Sequence, residues 1–566
     1  MQLTQTKWLW TLLFVFWGYQ LQATIIYVDY QAAGSNNGTS WTNAYTDFNT
    51  ALLSATFGDE IRVAEGNYQT PPDGFVLKDG VRINGGYPSA TRYPANLIWL
   101  VESLRSYTTY PTYLEATPSI NSTSETTLRQ ISNLSNQTQL DGLHIVGNEA
   151  LIVDTNYSGV LLNTSLVVSN CIFRGGNISS SLPLGFAVIF PSAGDYIIQP
   201  TFQNCTFENF SYFIIGNTSA QDNWSPKFNK CKFNDIQTYV FGVNLFGGTF
   251  SPEINDCEFT GNRTVFRSFN NIGSILKINV VNSLFIDNDR VVEIYQERGA
   301  LGNIFTNCTF YENGSVVNIP FVFQWSSAQY TDNNPITVAS FRNCISWRNL
   351  NNAGKLLSLS PGLHVNVQNS LLEASSFNSS ASSDPVFSIP NPHPTIDRVR
   401  DLGGNILNQN PQFVNPMVTT PNLRLQASSP ARNVGNNSLI PTGVTKDITI
   451  NDRILEGAVD MGAYEFCESG DGACSPIVVD PGDPTFEMMS AENEMTVFPN
   501  PVQEVIHLQV SKEVKIHTVT LTNLQGEVLK TWQASTHLEV AALEKGLYLL
   551  KVETNKGVMT IRVIKE

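Results

Sequence analysis

The sequence predicts an all-β protein in which short strands stack coil upon coil as a parallel solenoid, followed by a small C-terminal β-sandwich. The first observation is a four-residue phrase, Asn-Cys-x-Phe and its close variants, that recurs through the middle of the chain. The second is that Asn-Gly, Gly-Gly and Asn-Asn pairs mark turns, while helix-forming runs are nearly absent. The third is composition: 42% hydrophobic and only 14% charged residues indicate a folded chain whose polar positions are taken by Asn, Ser and Thr.

The repeated phrase sets the length of one coil. Five of the seven gaps between successive copies are 25 or 26 residues, and the two longer gaps fit one coil plus a loop insertion. Within a copy, the Cys or Ser and the Phe or Leu lie two residues apart, so both point to the same side of a short strand. We therefore expect coils of about 26 residues that stack in parallel. The copies begin at Asn170, Asn204, Lys230, Asp256, Asn282, Asn307, Asn343 and Asn369.

Stacking of equivalent residues explains the chemistry of the phrase. Coils about 4.8 Å apart place Phe over Phe inside the solenoid, with a small Cys beside that column. The Asn amides are expected to hydrogen-bond from coil to coil, in a ladder that Lys230 breaks. We expect the first coils at 60–63 and 80–83 and the last coil near Leu425.

The eight cysteines fall into two groups. Cys467 and Cys474 lie in a Gly-rich loop outside the repeat, and we expect them to form a disulfide bond because the chain is exported. An even number of cysteines also allows disulfides within the repeat. The repeat cysteines share one inward direction, however, so we expect free buried thiols at Cys171, Cys205, Cys231, Cys257, Cys308 and Cys344.

The N-terminus is typical of a secretory signal peptide covering residues 1–23. Lys7 supplies a positive charge, residues 8–17 form an apolar core, and the small Ala23 ends the segment, so we expect cleavage after Ala23. The apolar run is shorter than the roughly 20 residues of a membrane span, and we expect no integral membrane segment. The formal net charge of −16 argues against nucleic acid as a partner.

Two regions resemble one fold family. Tyr-Val-Asp at 27–29, Asn-Gly-Thr-Ser-Trp at 37–41 and Gly-Asp-Glu-Ile-Arg-Val-Ala-Glu-Gly-Asn-Tyr at 58–68 are similar to the opening of bacterial pectate-lyase-like right-handed β-helix proteins. Asn-Pro-Gln-Phe at 410–413, Ser-Pro-Ala-Arg-Asn-Val-Gly at 429–435 and Gly-Ala-Val-Asp-Met-Gly-Ala-Tyr-Glu at 457–465 resemble the closing region called choice-of-anchor Q, which would span residues 405–466. The resemblance implies a right-handed parallel β-helix over residues 24–466 and says little about activity.

The C-terminal residues 492–566 resemble the sorting domain of the bacterial type IX secretion system. The resemblance rests on Val-Phe-Pro-Asn-Pro at 497–501, Leu-Gln-Gly-Glu at 524–527 and Lys-Gly-Leu-Tyr-Leu-Leu-Lys-Val at 545–552. It implies the type IX machinery as a partner, removal of the domain, and release or attachment at the cell surface. Alternating strands favour a small β-sandwich in either case, and an ordinary sandwich module is the alternative. Residues 467–491 form the expected linker.

The sequence assigns no catalytic residue. Glycoside hydrolases need paired carboxylates, and the polygalacturonase-like motifs Asn-Thr-Asp, Asp-Asp, Gly-His-Gly and Arg-Ile-Lys are missing. Lyases need clustered carboxylates for calcium together with an Arg or Lys as base. Asp287 and Asp289, just after a repeat strand, are the nearest candidates for a calcium site, and a solvated turn is the alternative. In the closing region, a charge pair between Arg453 and Asp460 is expected to fix the end of the domain.

Aromatic side chains on a flat stacked surface can receive sugar rings. Trp224, Tyr239, Trp325 and Tyr330 are the candidates, and local packing of each ring is the alternative. We expect a monomeric exported protein without a cofactor that binds extracellular polysaccharide or acts as an adhesin or structural rod. The alternative hypothesis is a polysaccharide lyase or glycoside hydrolase whose site is scattered over several coils.

Overall fold

A computed structural model describes most of the chain as two compact units, Met1–Val478 and Val479–Glu566. Their boundary falls within the predicted linker. Residues 1–22 of the predicted signal peptide and Cys474 lie outside the described residues. The described residues are 23–94, 98, 100–117, 126–153, 163–175, 186–189, 196–220, 222–297, 299–314, 321–331, 333–349, 355–374, 377, 387–388, 398–418, 420–467, 495–498, 502–510, 515–523, 528–555 and 557–565.

Strands of successive coils pair in parallel in the first unit, and the described residues place them in four sheets. The thirteen-stranded sheet contains Ile25–Val28, Glu60–Ala64, Arg82–Tyr87, Gln139–Asp141, Val167–Ser169, Thr201–Gln203, Lys227–Asn229, Glu253–Asn255, Asn279–Val281, Asn303–Thr306, Ile336–Arg342, Leu363–Gln368 and Val399–Asp401. The twelve-stranded sheet contains Gly66–Gln69, Thr112–Glu115, His144–Val146, Ile172–Arg174, Thr206–Glu208, Lys232–Asn234, Glu258–Thr260, Leu284–Ile286, Thr309–Tyr311, Ile345–Trp347, Leu371–Leu372 and Ile406–Leu407.

Two further sheets complete the coils, the shorter one only between residues 163 and 301. The eleven-stranded sheet contains Phe75–Val76, Thr126–Gln130, Glu149–Val153, Phe186–Ile189, Tyr212–Thr218, Tyr239–Leu245, Thr264–Asn270, Arg290–Gln296, Phe321–Ser326, Lys355–Leu359 and Phe387–Ser388. The six-stranded sheet contains Asn163–Thr164, Ile197–Ile198, Asn223–Trp224, Thr249–Phe250, Ser274–Leu276 and Gly299–Leu301. The predicted all-β solenoid of parallel strands, a parallel β-helix, is confirmed.

A short helix closes the N-terminal end of this core. The α-helix Phe48–Ser54 begins after Asp47, whose side chain accepts a hydrogen bond from the Thr50 backbone N–H at 2.6 Å. Its buried Phe48 ring meets Phe75 of the first coils edge-on at 4.7 Å between ring centroids. The other helices described are Leu100–Ser103 and two 3-10 turns, Ala90–Arg92 and Asn437–Leu439.

The repeated phrase forms the corner between the thirteen- and twelve-stranded sheets. Its first residue has φ between 45° and 55° in every copy, a left-handed conformation that Asn adopts more easily than most residues. Its second residue donates a hydrogen bond to the carbonyl oxygen two residues earlier, for example from Cys257 Sγ at 3.2 Å and from Ser283 Oγ at 2.8 Å. The corner therefore requires a small side chain with a donor. The six repeat thiols are free and buried, as predicted, and Cys467 is disulfide-bonded.

The Phe residues of the phrase stack inside the solenoid as predicted. Successive rings are nearly parallel, with centroids 4.8–5.2 Å apart. The column consists of Phe173, Phe207, Phe233, Phe259, Phe285 and Phe310.

The predicted Asn ladder at the corner forms only in part. Asn204 Nδ2 donates to Asn170 Oδ1 at 2.8 Å, and Lys230 interrupts the series, as predicted. In later coils the amide turns outward, and Asn307 Nδ2 donates to the backbone oxygen of Asp460 at 3.2 Å. Hydrogen bonds to residues 405–466 therefore replace the coil-to-coil bonds of the ladder where that segment covers the corner.

A second and more complete ladder lies at the next corner, between the twelve- and eleven-stranded sheets. Asn262, Asn288, Asn313 and Asn349 are buried, and each Nδ2 donates to the Oδ1 of the next at 2.8–2.9 Å. Each Oδ1 after the first also accepts the backbone N–H of the preceding Asn, which satisfies buried polar groups at the turn. This ladder was not predicted from the sequence.

The coils end earlier than predicted. The last coil strand described in the twelve-stranded sheet is Ile406–Leu407, and Phe413–Asn415 pairs with Asn422–Leu425 as an antiparallel hairpin. The prediction that coils extend to about Leu425 is therefore wrong. The hairpin leaves the solenoid because its buried side chains pack on the outer face of the twelve-stranded sheet, in a cluster formed by Leu284, Ile286, Tyr311, Ile345, Leu371, Phe413, Leu423, Leu425, Ala431, Met461 and Ala463.

Arg453 holds the closing region (405–466) together from within. Its guanidinium is 1% exposed and lies 2.9 Å from the Glu465 carboxylate, and it donates to the backbone oxygens of Asp460, Gly462 and Ala463 at 3.0–3.1 Å. The expected side-chain pair with Asp460 is wrong. The Asp460 carboxylate accepts backbone N–H groups of the closing region instead, at 2.5 and 2.6 Å.

The second unit is built from antiparallel strands. Its three-stranded sheet contains Met495–Phe498, Val505–Val510 and His537–Glu539. Its four-stranded sheet runs in the order Val528–Gln533, Ile516–Thr522, Gly546–Thr554 and Gly557–Lys565. The two sheets share a core of Val502, Ile506, Leu508, Val519, Leu521, Leu538, Val540, Tyr548, Leu550, Val552 and Val563.

Candidate functional site

The four aromatic candidates occupy different environments. Trp224 and Trp325 are 0% and 1% exposed, so neither ring is available to a surface ligand, and their assignment to glycan binding is corrected. Trp325 lies two positions after Phe323 on the same strand, so both rings point into the solenoid. They stack with centroids 6.2 Å apart and planes within 3°. Tyr330 is half-buried against the core. Tyr239 alone of the four lies on a broad outer face.

This face belongs to four neighbouring strands of the eleven-stranded sheet, Tyr212–Thr218 to Arg290–Gln296. Inward positions such as Phe241 and Phe266 fill the core, so the positions that alternate with them, such as Gly242 and Phe269, face outward. Tyr239 precedes this alternation, and its ring lies on the outer side because it packs against Gly242. The outward rings are half-buried and pair from coil to coil. We call the surface formed by Tyr212, Tyr239, Phe269 and Tyr295 the aromatic face.

The rings of the aromatic face form two pairs. Phe269 and Tyr295 stand opposite each other in register and stack in parallel, with centroids 4.8 Å apart and planes within 5°. Tyr212 and Tyr239 are also in register, with centroids 5.6 Å apart and planes tilted by 55°. Flat ring surfaces on a rigid sheet are preorganised, since the backbone hydrogen bonds fix their spacing.

Polar groups lie between the two pairs. Asn244 Nδ2 donates to Asn217 Oδ1 at 3.1 Å, and Arg267 Nη1 donates to Asn244 Oδ1 at 3.1 Å. The Arg267 guanidinium also lies over the Tyr239 ring, 5.2 Å from its centroid. Gly242 makes this packing feasible, because a Cβ there would come within 3.0 Å of the Tyr239 ring. The face thus combines rings with an oriented series of amide and guanidinium donors.

One carboxylate reaches the same surface. Glu293 is in register with Arg267, and its carboxylate forms an ion pair with Arg290 at 2.5 Å. Arg290 is only 12% exposed, so its position is set by packing. Phe246 and Ile272, which are 53% and 67% exposed, follow the ends of two of the four strands and extend the apolar surface at its rim.

Asp287 and Asp289 lie at the corner beside this face, on either side of the buried ladder residue Asn288. Asp287 is exposed with φ of 51°, so the alternation expected of a continuous strand does not apply to the pair. Burial and the charge of Asp287 raise the pKa of Asp289, against the opposing effect of Arg263 and Arg290. Among the described residues, no group of three or more His, Cys, Asp or Glu is arranged to hold a metal ion. A calcium site at Asp287 and Asp289 therefore stays a prediction, and no third ligand lies beside them among the described residues.

Tyr239 was predicted from the sequence, whereas Tyr212, Phe269 and Tyr295 were not. Spacing offered a signal for all of them, because Phe269 and Tyr295 are 26 residues apart and Tyr212 and Tyr239 are 27 apart, about one coil. Exposed positions tolerate more substitution than the Phe column, so this outward periodicity is short and easily overlooked.

Comparisons with known proteins bear mainly on the C-terminal unit. Residues 496–566 match the family model for the secretion system C-terminal sorting domain. The chain carries a secretion sorting domain. It is therefore a secreted or outer-membrane surface-attached protein, as predicted. The crystal structure of pectate lyase Pel9A is similar to this chain with a TM-score of 0.45 and 14% sequence identity, covering 78% of this chain and 96% of that one. No curated protein matches.

Three further predictions concern a membrane-spanning segment, residues 405–466 and the cleavage site of the signal peptide. In the described part of the chain, no helix combines the length and apolar character needed to cross a membrane. The choice-of-anchor Q resemblance of residues 405–466 and the cleavage after Ala23 stay predictions.

Proposed function

We propose that this exported protein binds an extracellular glycan on the aromatic face, without cleaving it. The observation that carries the proposal is the pairing of rings across coils, with the amide and guanidinium groups of Asn217, Asn244 and Arg267 between the pairs. Sugar rings present apolar faces and a rim of hydroxyl groups. Such a surface offers both partners: the ring edges and the ring faces left uncovered by stacking for the first, and fixed donors for the second.

The dimensions of the face favour an oligosaccharide over a single sugar. Tyr239 and the residue in register with Phe269, Asn244, are five positions apart on one strand. Five residues of a strand span about 17 Å. A ligand that contacts both ring pairs is therefore extended and runs along the strand direction. Because the contacts repeat, each ring contributes a modest share of the binding free energy.

The test measures binding of the secreted full-length chain to an array of neutral and acidic polysaccharides. We expect retention on at least one glycan, and a loss of about tenfold in affinity, or 1.4 kcal/mol, when Phe269 and Tyr295 are both replaced by Ala. Tyr30→Ala is the matched control, since Tyr30 is 47% exposed on a different part of the chain. Equal binding by all three proteins would contradict the proposal.

The alternative is a polysaccharide lyase or glycoside hydrolase. The same incubations distinguish it, because cleavage produces new reducing ends or unsaturated products. Hydrolysis would require a second carboxylate about 5–10 Å from the first. Glu293 and Arg267 face each other in register on the aromatic face, so Glu293→Gln is the variant that decides whether any cleavage originates there.

A further inference from the structure

The four-stranded sheet of the sorting unit has an open edge among the described strands. Strand Val528–Gln533 ends the four-stranded sheet and, among the described strands, pairs only with Ile516–Thr522. We call it the open edge strand. A strand in this position presents a row of backbone N–H and C=O groups that no neighbouring strand satisfies.

The side chains of the open edge strand do not protect it. Val528 is 59% exposed and Leu529 is 40% exposed, and four consecutive positions, 528–531, are exposed. Proteins usually guard such edges with charged residues, Lys above all. The single Lys of the strand, Lys530, is turned away to donate to the backbone oxygen of Glu539 at 2.8 Å and lies 5.2 Å from the Trp532 ring centroid.

The opposite edge of the same sheet differs. Strand Gly557–Lys565 forms the other end of the sheet, and a parallel bridge between Val502 and Lys565 covers its terminus. One edge is thus partly closed from within the unit, while the apolar one is available for pairing with an incoming segment.

We propose that the open edge strand is the docking surface of the sorting unit, where an extended segment of an export-machinery protein adds a strand to the four-stranded sheet. The occupant is a machinery component because residues 496–566 match a secretion sorting domain, whose role requires recognition by that machinery. Strand addition suits the surface because main-chain groups supply the hydrogen bonds, while Val528 and Leu529 contribute apolar contacts. This inference is independent of glycan binding.

The test follows export of the full-length chain in a bacterium with a functional type IX system. Val528→Lys with Leu529→Lys places two charges on the edge, and we expect at least a tenfold fall in the exported fraction, with periplasmic accumulation. The matched control is Ala541→Lys with Ala542→Lys, which adds the same charge at exposed positions outside the open edge strand, and export should change less than twofold. Thermal unfolding of each purified protein reports whether the sorting unit is intact.

A milder variant guards against misfolding. Val528→Thr with Leu529→Thr keeps strand-forming residues but removes apolar surface, and we expect a threefold to tenfold loss of export with unchanged unfolding temperature. A photo-crosslinking residue in place of Val528 should couple to a component of the export machinery, whereas one in place of Ala542 should not. The proposal is overturned if folded edge variants are exported normally or if the control loses export equally. It is also overturned if the edge variants only convert a dimer of this chain to a monomer, because the occupant would then be a second copy.

Discussion

The outer face of the twelve-stranded sheet has two parts that differ although their inner faces are alike. In the open part, from His144–Val146 to Glu258–Thr260, outward positions such as Arg174, Asn234 and Thr260 remain accessible, although Ile172 and Thr206 are buried. In the covered part, from Leu284–Ile286 onward, outward positions such as Ile286 and Tyr311 are 5% and 0% exposed beneath the closing region. The Phe column passes from the open part into the covered part without a break, from Phe259 through Phe285 to Phe310.

This contrast separates two determinants of the structure. The inward residues repeat with the coil and fix its geometry, whereas the outward residues carry no period and decide what packs on the outside. Asn234, Thr260 and Ile286 are in register on successive strands, yet only Ile286 contributes to the second core. A solenoid can therefore gain a lateral cover by changing outward residues alone.

Removing the Arg453 side chain should have the largest effect on the difference between the covered and open parts of the sheet. Arg453→Met leaves the buried Glu465 carboxylate without its partner and three backbone oxygens without their donor. Loss of one partner of a buried pair costs about 3–5 kcal/mol, so we expect the closing region to detach and become sensitive to protease. Lys446→Met is the control, because its ion pair with Asp452 is exposed and worth less than about 1 kcal/mol. Equal protease resistance in both variants would argue against this role.

Asn234 and Ile286 occupy equivalent outward positions on strands of the twelve-stranded sheet. Truncating each side chain should lower the free energy of unfolding by an amount that depends on whether the closing region covers it. Ile286→Ala opens a cavity in the second core and should lower the free energy of unfolding by about 2–4 kcal/mol. Asn234→Ala changes an accessible position of the same column and should cost less than about 0.5 kcal/mol. Urea denaturation measures both values, and similar costs at the two positions would show that the cover contributes little.

Changing pH should move the local stability around Glu465 and around His144 in opposite directions. Burial raises the pKa of Glu465 to about 8, against the opposing charge of Arg453, and also raises the pKa of Asp460, so the folded closing region binds more protons than the unfolded chain. Its stability should rise as pH falls from about 8 toward the ordinary carboxyl range near 4.

In the open part, burial lowers the pKa of His144, although its bond to the Tyr107 backbone oxygen opposes this. Folding then favours the neutral ring, and local stability should fall as pH drops through about 6.5. Hydrogen exchange at several pH values, corrected for intrinsic rates, resolves the two regions. A shared direction in both would contradict these assignments.

Substituting the repeat cysteines should have the smallest effect and should not distinguish the parts. Burial raises the pKa of the Cys205 and Cys308 thiols, so alkylating reagents should label none of the six repeat thiols in the native protein and all six in urea. Cys257→Ser and Cys344→Ser should each cost less than about 1 kcal/mol, because Ser283 and Ser370 already make the same bond at this position. Native-state labelling followed by mass analysis and urea denaturation tests both statements.

The inner architecture was largely predictable, because each coil repeats the same local requirement. The spacing of Cys257, Ser283, Cys308 and Cys344 predicted the corner and the free thiols. The buried ladder of Asn262, Asn288, Asn313 and Asn349 has the same gaps of 26, 25 and 36 residues and was equally readable, yet it was missed. The sorting unit was predictable for a different reason, namely motifs specific to its family.

The sequence by itself determined the parallel solenoid, its inward Phe column and the export of the chain, because these depend on periodic or strictly local patterns. Only the tertiary structure decided that Trp224 and Trp325 face inward, that Arg453 pairs with Glu465, and that the hairpin after Ile406–Leu407 leaves the coils to cover one face. It also decided that Tyr212, Tyr239, Phe269 and Tyr295 form one surface. These outcomes depend on which residues meet across distant parts of the chain, and neither periodicity nor residue type specifies such meetings until the coils are stacked in register.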